Sequence, residues 1–291
     1  MKRILVASDL SKRSRRAIRR AVALARQFGA ELIALHVADD DRPDELIAAE
    51  CRSAEAVLRE HLAAAGAEDL ALQPVLKLVA GDPFKVISDE ADRVEADLIV
   101  VGAHRKRLLG DVFTGTTIER VMRLGSRPVL MVNRDGEKPY RQVLAAVDLS
   151  EASAHALQTA RVIGLLDPAH AAAVHGFIPL GEDMMYYANV DQKRIEEHVA
   201  ISASEARVAL GVFLRDNGFA DMADVLFVEK GGPYEAIEIG ISKFRPDLLV
   251  IGTRGHSGVK RILLGSTADH VLRRTDTDVL AVPPGREPPS A

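Results

Sequence analysis

Two stretches of this 291-residue chain repeat each other, and the duplication limits what the chain can fold into more than any other feature. Lys2-Arg3-Ile4-Leu5-Val6-Ala7-Ser8-Asp9-Leu10-Ser11 lies against Arg141-Gln142-Val143-Leu144-Ala145-Ala146-Val147-Asp148-Leu149-Ser150, which sets Asp9 on Asp148 at a shift of 139 residues. The same shift carries His36 onto His175. Farther on, Asp97-Leu98-Ile99-Val100-Val101-Gly102 lies against Asp247-Leu248-Leu249-Val250-Ile251-Gly252 at a shift of 150. The second copy therefore holds 11 extra residues between its second and third strands, and Gly181-Glu182-Asp183-Met184-Met185-Tyr186-Tyr187 is where they belong.

Within each copy short apolar runs alternate with longer amphipathic ones. The first reads as strand 3–8, helix 12–28, strand 31–37, helix 44–65, strand 73–79, helix 84–95, strand 97–102, helix 116–124 and strand 128–132. The second reads as strand 142–147, helix 151–165, strand 170–178, helix 191–217, strand 224–229, helix 234–244, strand 247–252, helix 267–274 and strand 278–282. Strands buried on both faces and separated by helices call for a parallel sheet covered on both sides. Ser11 and Ser150 are placed to cap the first helix of each copy, and Pro83 and Pro233 stand where a third helix opens. The expected domains are 1–134 and 140–284, joined by a short linker from Asn133 to Tyr140, with an extended proline-rich tail over 285–291.

Composition decides the class of molecule. With 47% hydrophobic and 27% charged residues the chain is a folded globular protein. Its apolar runs fall far short of the roughly 20 residues that span a bilayer. Met1-Lys2-Arg3 passes straight into a strand, with no apolar leader segment, and the single cysteine, Cys51, can form no internal disulfide; both features suit the cytoplasm. A net charge of −4 argues against dedicated nucleic-acid binding. The one basic concentration, Lys12, Arg13, Arg15, Arg16, Arg19, Arg20 and Arg26, shares its helix with an ordinary core stripe, so its charges are expected on a solvated face.

Chemistry concentrates where strands end. In open parallel sheets ligands bind beyond the carboxyl ends of the strands, where the strand order reverses. Asp9 and Asp148 end the first strand of each copy, and Gly102 and Gly252 end the fourth. If those strands are neighbours, an aspartate able to accept from a ribose or base edge faces a glycine-rich loop able to cradle phosphate with backbone N–H groups. The alternative is that Asp148 only bonds its own turn, a common use of aspartate. The second loop runs Gly252-Thr253-Arg254-Gly255-His256-Ser257-Gly258, then on to Gly265-Ser266-Thr267, where a helix starts.

Asp-Leu-Ser after the first strand, Gly252-x-x-Gly255 followed after nine intervening residues by Gly265-Ser266, and the ending Val279-Leu280-Ala281-Val282-Pro283 resemble the universal stress protein family, whose ATP-binding members share G-x2-G-x9-G-[S/T]. The resemblance covers the chain twice. It implies two Rossmann-like domains, each an open five-stranded parallel sheet of order 3-2-1-4-5 flanked by helices. It also implies that the two pack as an intrachain pseudo-dimer through their last strands, leaving a homodimer open. It further implies adenine nucleotide as ligand: ATP, with or without magnesium, held without a phosphate-loop lysine. Carried over, Asp148 meets adenine or ribose, His175 and Gly176 border adenine, Gly252 lies near ribose, and Gly255, Gly265, Ser266 and Thr267 hold phosphate. His256, within the same loop, could reach a phosphate or equally do nothing. Gly176 stands where the family often has valine. The corresponding residues of the first copy are Asp9, Val37, Gly102, Gly115, Thr116 and Thr117. That copy departs from the pattern, with Arg105 at the second glycine, so the second domain is expected to carry the principal site.

Other chemistry is poorly supported. No H-E-x-x-H or G-x-S-x-G is present, and His36 and His175 lie in strands, so neither a metal site nor a hydrolase is expected. Ser266 and Thr267 are phosphate-adjacent hydroxyls that leave room for slow hydrolysis or autophosphorylation, but no general base is evident. A nucleotide-independent scaffold, meeting an unknown protein partner, is the competing class. Met184-Met185-Tyr186-Tyr187 could form a lid or a partner contact; core packing is the plainer expectation.

Overall fold

The structure is a computed structural model that describes residues 1–103, 117–253 and 265–285. Its first half runs β1 (Arg3–Ala7), α1 (Lys12–Phe28), β2 (Glu31–Ala38), α2 (Asp44–Ala64), β3 (Val75–Ala80), α3 (Pro83–Arg93), β4 (Leu98–Gly102), α4 (Thr117–Leu124) and β5 (Val129–Val132). The second half runs β6 (Val143–Ala146), α5 (Glu151–Val162), β7 (Ala171–Phe177), α6 (Glu182–Tyr187), α7 (Gln192–Asp216), β8 (Leu226–Lys230), α8 (Pro233–Phe244), β9 (Leu248–Gly252), α9 (Ser266–Arg274) and β10 (Asp278–Val282).

The strands form one ten-stranded sheet in the order β3-β2-β1-β4-β5-β10-β9-β6-β7-β8, which is 3-2-1-4-5 followed by its mirror. All pairs are parallel except the central one, where β5 and β10 run antiparallel with Leu130 opposite Leu280. Side chains alternate across the sheet, as strand geometry requires. Ile4 and Val6 join a core with Ile18, Leu58, Leu157 and Leu210 under α1, α2, α5 and α7, while Leu5 joins a core with Ile87, Val121, Ile237 and Val271 under α3, α4, α8 and α9. Each core runs through both halves. Ser11 caps α1 and Ser150 caps α5, each accepting from the backbone N–H three residues on, and Pro83 and Pro233 open α3 and α8.

Two expectations need correction. The inserted stretch is a short helix, α6, and it is not core: Met184 is 76% and Tyr187 89% exposed, with Ile178 and Leu180 beside them also bare. The reason is position. The helix follows the end of β7, tied by Glu182 to Lys230 at the end of β8, so no layer of the sheet lies over its apolar side. The arginines of α1 likewise are not a merely solvated face. Arg15 reaches His61, Arg16 and Arg19 reach Asp135, Arg26 donates to Gly66 O, and Arg20 is buried.

Arg20 sits in a clasp that closes the linker over the seam between halves. Its guanidinium lies 3.7 Å from Asp278 Oδ2, donates to Lys138 O at 2.6 Å and covers the Tyr140 ring at 4.2 Å. Asp278 also accepts from Asn133 N, Arg134 N and the Tyr140 hydroxyl. A second bridge crosses the seam where Arg273 Nη2 of α9 lies 2.9 Å from Glu119 Oε1 in the first turn of α4. Among the described residues no helix is long and apolar enough to cross a membrane.

Candidate functional site

The strand order reverses between β1 and β4 and again between β6 and β9, and a cavity opens beyond each of these strand ends. The first measures about 320 Å³ and the second about 310 Å³, at the small end of the range for small-molecule sites.

Each cavity is anchored on a strained turn. After β1 the chain turns through Leu10 at φ 62°, and after β6 through Leu149 at φ 63°. A left-handed leucine costs free energy that the surrounding structure must offset, and such residues gather at functional sites. The turn presents the aspartate. Asp148 Oδ1 accepts from Ser150 N at 3.1 Å and from Ser153 Oγ at 2.6 Å, while Asp148 N donates back to Ser153 Oγ at 3.1 Å. Asp9 is held the same way: its Oδ1 accepts from Ser11 N and from Ser14 Oγ, and its N–H donates to Ser14 Oγ. Burial alone would raise the Asp9 carboxyl, but hydrogen bonds from Ser11 and Ser14 and the charge of Arg13 outweigh it and hold the group below the usual carboxylate range. The aspartates therefore do bond their own turns, and they also line the cavities as charged acceptors.

Opposite the aspartate stand the fourth strand and the last helix of each half. In the second cavity Gly252, Gly265, Ser266 and Thr267 share the wall with Asp148 and Gly176. Gly265 precedes α9 without a side-chain cap, its N–H donating to Thr253 O at 3.0 Å. Unpaired N–H groups at such a helix start carry partial positive charge and suit an anion. The base of the cavity is apolar, with Val174, Pro233, Ile237 and Ile251. In the first cavity Asp9, Val37, Gly102 and Thr117 line the wall, with Leu35, Pro83, Ile87 and Val101 as the apolar part. Gly102 is forced small, because a Cβ there would stand 2.8 Å from the backbone of Arg13. Gly255 and His256 of the second loop, and Arg105, Gly115 and Thr116 of the first, lie outside the described residues.

His175 stands one residue out of step with the wall. Val174 and Gly176 line the cavity, so the imidazole of His175 turns to the other face of β7, where Nδ1 donates to Val147 O at 2.7 Å. His36 makes the equivalent bond to Ser8 O. Gly176 is itself constrained: a Cβ there would meet Gly232 O at 3.0 Å and Gly231 O at 3.1 Å, so the β8–α8 turn occupies the room a valine would need. The serines that lock the aspartates, Ser14 and Ser153, are residues that sequence reasoning passed over. The signal was there, since Asp9-Leu10-Ser11-Lys12-Arg13-Ser14 repeats as Asp148-Leu149-Ser150-Glu151-Ala152-Ser153.

Fold and crevices together define a tandem, doubly wound α/β protein with a candidate ligand site at each switch point. The profile of the Universal stress protein family matches residues 1–133 and again 139–283, and the chain belongs to that family. It is 24% identical over 217 residues to universal stress protein E of Salmonella typhi, a match that takes in 69% of this chain and 65% of that relative. The chain thus spans just under two thirds of that relative's length. It is 28% identical over 149 residues to a universal stress protein of Methanocaldococcus jannaschii, covering 51% of this chain and 85% of the relative. A universal stress protein structure from Archaeoglobus fulgidus superposes with a TM-score of 0.64 at 20% identity, over 97% of this chain and 98% of the other, a likeness of fold.

Proposed function

We propose that this is a cytoplasmic stress-response protein that binds adenine nucleotide in its crevices, chiefly ATP in the second, with or without magnesium carried on the phosphates. Bound nucleotide then biases the conformation of the chain or its choice of protein partner. What supports this is the convergence, within one cavity of about 310 Å³, of a serine-locked aspartate, an apolar wall and an uncapped helix start. Those three parts suit a ribose or base edge, a purine face and a phosphate chain respectively. The carboxylate on the wall, Asp148, accepts from Ser150 and Ser153 and is fixed in place by them, which suits it to hold a nucleotide. Slow hydrolysis or autophosphorylation at Ser266 or Thr267 is the limit of the chemistry expected. A switch of this kind needs only different affinities of ATP for two states.

One observation favours a second reading, a nucleotide-independent scaffold: the bare apolar side chains of Ile178, Leu180, Met184 and Tyr187 suit a protein contact. A single experiment separates the two. Purified protein is denatured and any released small molecule identified by mass, and the melting temperature of refilled or empty protein is followed against ATP. At a hundredfold excess over Kd, ATP should stabilise by about 2.7 kcal/mol. No released nucleotide and no shift would leave the scaffold.

A further inference from the structure

The two cavities are built from matching positions, yet their charge differs at the aspartate end. Arg13, in the first turn of α1, lines the first cavity, while the matching residue of the second copy is Ala152. The backbone of Arg13 is drawn against the end of β4, as the 2.8 Å approach to a Cβ at Gly102 shows. Its side chain is partly buried, and no hydrogen bond or ion pair among the described residues ties the guanidinium down; its charge acts on Asp9. Lys12 beside it is exposed and does not line the cavity.

A nucleotide laid across this crevice with its 5′-phosphates toward the start of α4 at Thr117 brings the secondary hydroxyls of its ribose to Asp9. A carboxylate in that place prefers free hydroxyls, whereas an arginine beside it accommodates a phosphate ester on one of them. The guanidinium supplies the planar pair of donors that phosphate oxygens accept, at a strength neutral donors do not match. We propose that the two cavities have different ligands: the first selects adenine nucleotides that carry an additional phosphate on the 2′ or 3′ ribose hydroxyl, and the second takes those with an unsubstituted ribose. The proposal rests on the reading of the crevices as adenine-nucleotide sites.

Isothermal titration of the full chain tests it. Gly265→Asp places a carboxylate at the phosphate end of the second cavity, so that the first is read alone. Adenosine 2′,5′-bisphosphate, adenosine 3′,5′-bisphosphate and AMP share one 5′-phosphate and differ only at the ribose. At least one bisphosphate should bind about tenfold more tightly than AMP, the size of one charge-assisted hydrogen bond. Arg13→Ala should erase that preference while AMP affinity moves less than about threefold, and Arg13→Lys, which keeps the charge without the fork, should restore part of it. In a chain whose first cavity is closed by Thr117→Asp, Ala152→Arg should create the preference in the second. AMP and both bisphosphates binding equally would overturn the proposal, as would an Arg13→Ala loss of the same size for all three. In either case the crevices still bind nucleotide and the broader reading stands. If neither the unaltered chain nor the Gly265→Asp chain binds any adenine nucleotide, that broader reading falls and takes this one with it.

Discussion

Replacing Arg20 by methionine should loosen the seam between the halves, because it keeps most of the buried stem and removes the guanidinium, with its charge, its bond to Lys138 O and its place over the Tyr140 ring. Arg20 is 7% exposed and its partner Asp278 1%, with 3.7 Å between guanidinium and carboxylate. At that separation and an effective dielectric constant of about 20 the attraction is about 4.5 kcal/mol before desolvation is counted. Taking one partner from a buried pair commonly costs about 3–5 kcal/mol, since the other charge stays buried. Asp278 keeps three donors, Asn133 N at 2.8 Å, Arg134 N at 2.9 Å and Tyr140 Oη at 2.6 Å. The loss should therefore fall at the low end, about 3 kcal/mol, or a melting temperature lower by about 5 °C. Urea unfolding of Arg20→Met, Asp278→Asn and the double variant gives the coupling directly, which should be about 2 kcal/mol or more. A coupling below about 0.5 kcal/mol would show that packing, not charge, holds the linker, and would refute the reasoning.

Three further outcomes follow from other parts of the molecule. Burial, and then the charge of Asp278, push the Tyr140 phenol well above its ordinary value of 10, so the unfolded chain releases that proton first. Stability from this group is full below pH 10 and falls as pH climbs above it; in Tyr140→Phe the alkaline decline of the unfolding free energy, measured by urea titration, should be shallower by up to about 1.4 kcal/mol per pH unit, whereas parallel curves would contradict the assignment. Gly164, at φ 82°, lies under Phe28 of the other half, where an added Cβ would stand 2.7 Å from Cε1; Gly164→Ala should cost about 1–3 kcal/mol in thermal unfolding. Ser153→Ala removes the donor that fixes Asp148 at 2.6 Å, and should weaken ATP binding about tenfold in titration while changing the melting temperature of the empty protein by much less.

Much of the architecture was legible because it depends on pattern. Buried strands such as Leu98 to Val101 and Leu248 to Ile251 show no alternation, as strands covered on both faces should not, and the repeat fixes where each belongs. Asp9 with Gly102, and Asp148 with Gly252 and Thr267, could each be placed at a crevice because strand ends and helix starts must meet there. What escaped depends on tertiary partners. Arg20 is spaced along α1 like any surface arginine, and its partner Asp278 lies at the far end of the chain, so nothing local marks either as buried. Leu10 and Leu149 in left-handed turns run against the preference of leucine, and only the surrounding fold imposes them. Met184 and Tyr187 look like core by hydrophobicity alone; their exposure follows from α6 standing beyond the ends of β7 and β8.

The central claim is that the aspartate-ended crevices hold adenine nucleotide, and equilibrium titration of the full chain with ATP, beside its Asp148→Ala and Asp9→Ala variants, tests it most directly. Asp148→Ala should lower the affinity of the principal site at least about tenfold, the loss of one charge-assisted hydrogen bond, with Asp9→Ala leaving that site within about threefold of its original value. ATP binding of undiminished affinity and stoichiometry in the Asp148→Ala/Asp9→Ala double variant would contradict the account.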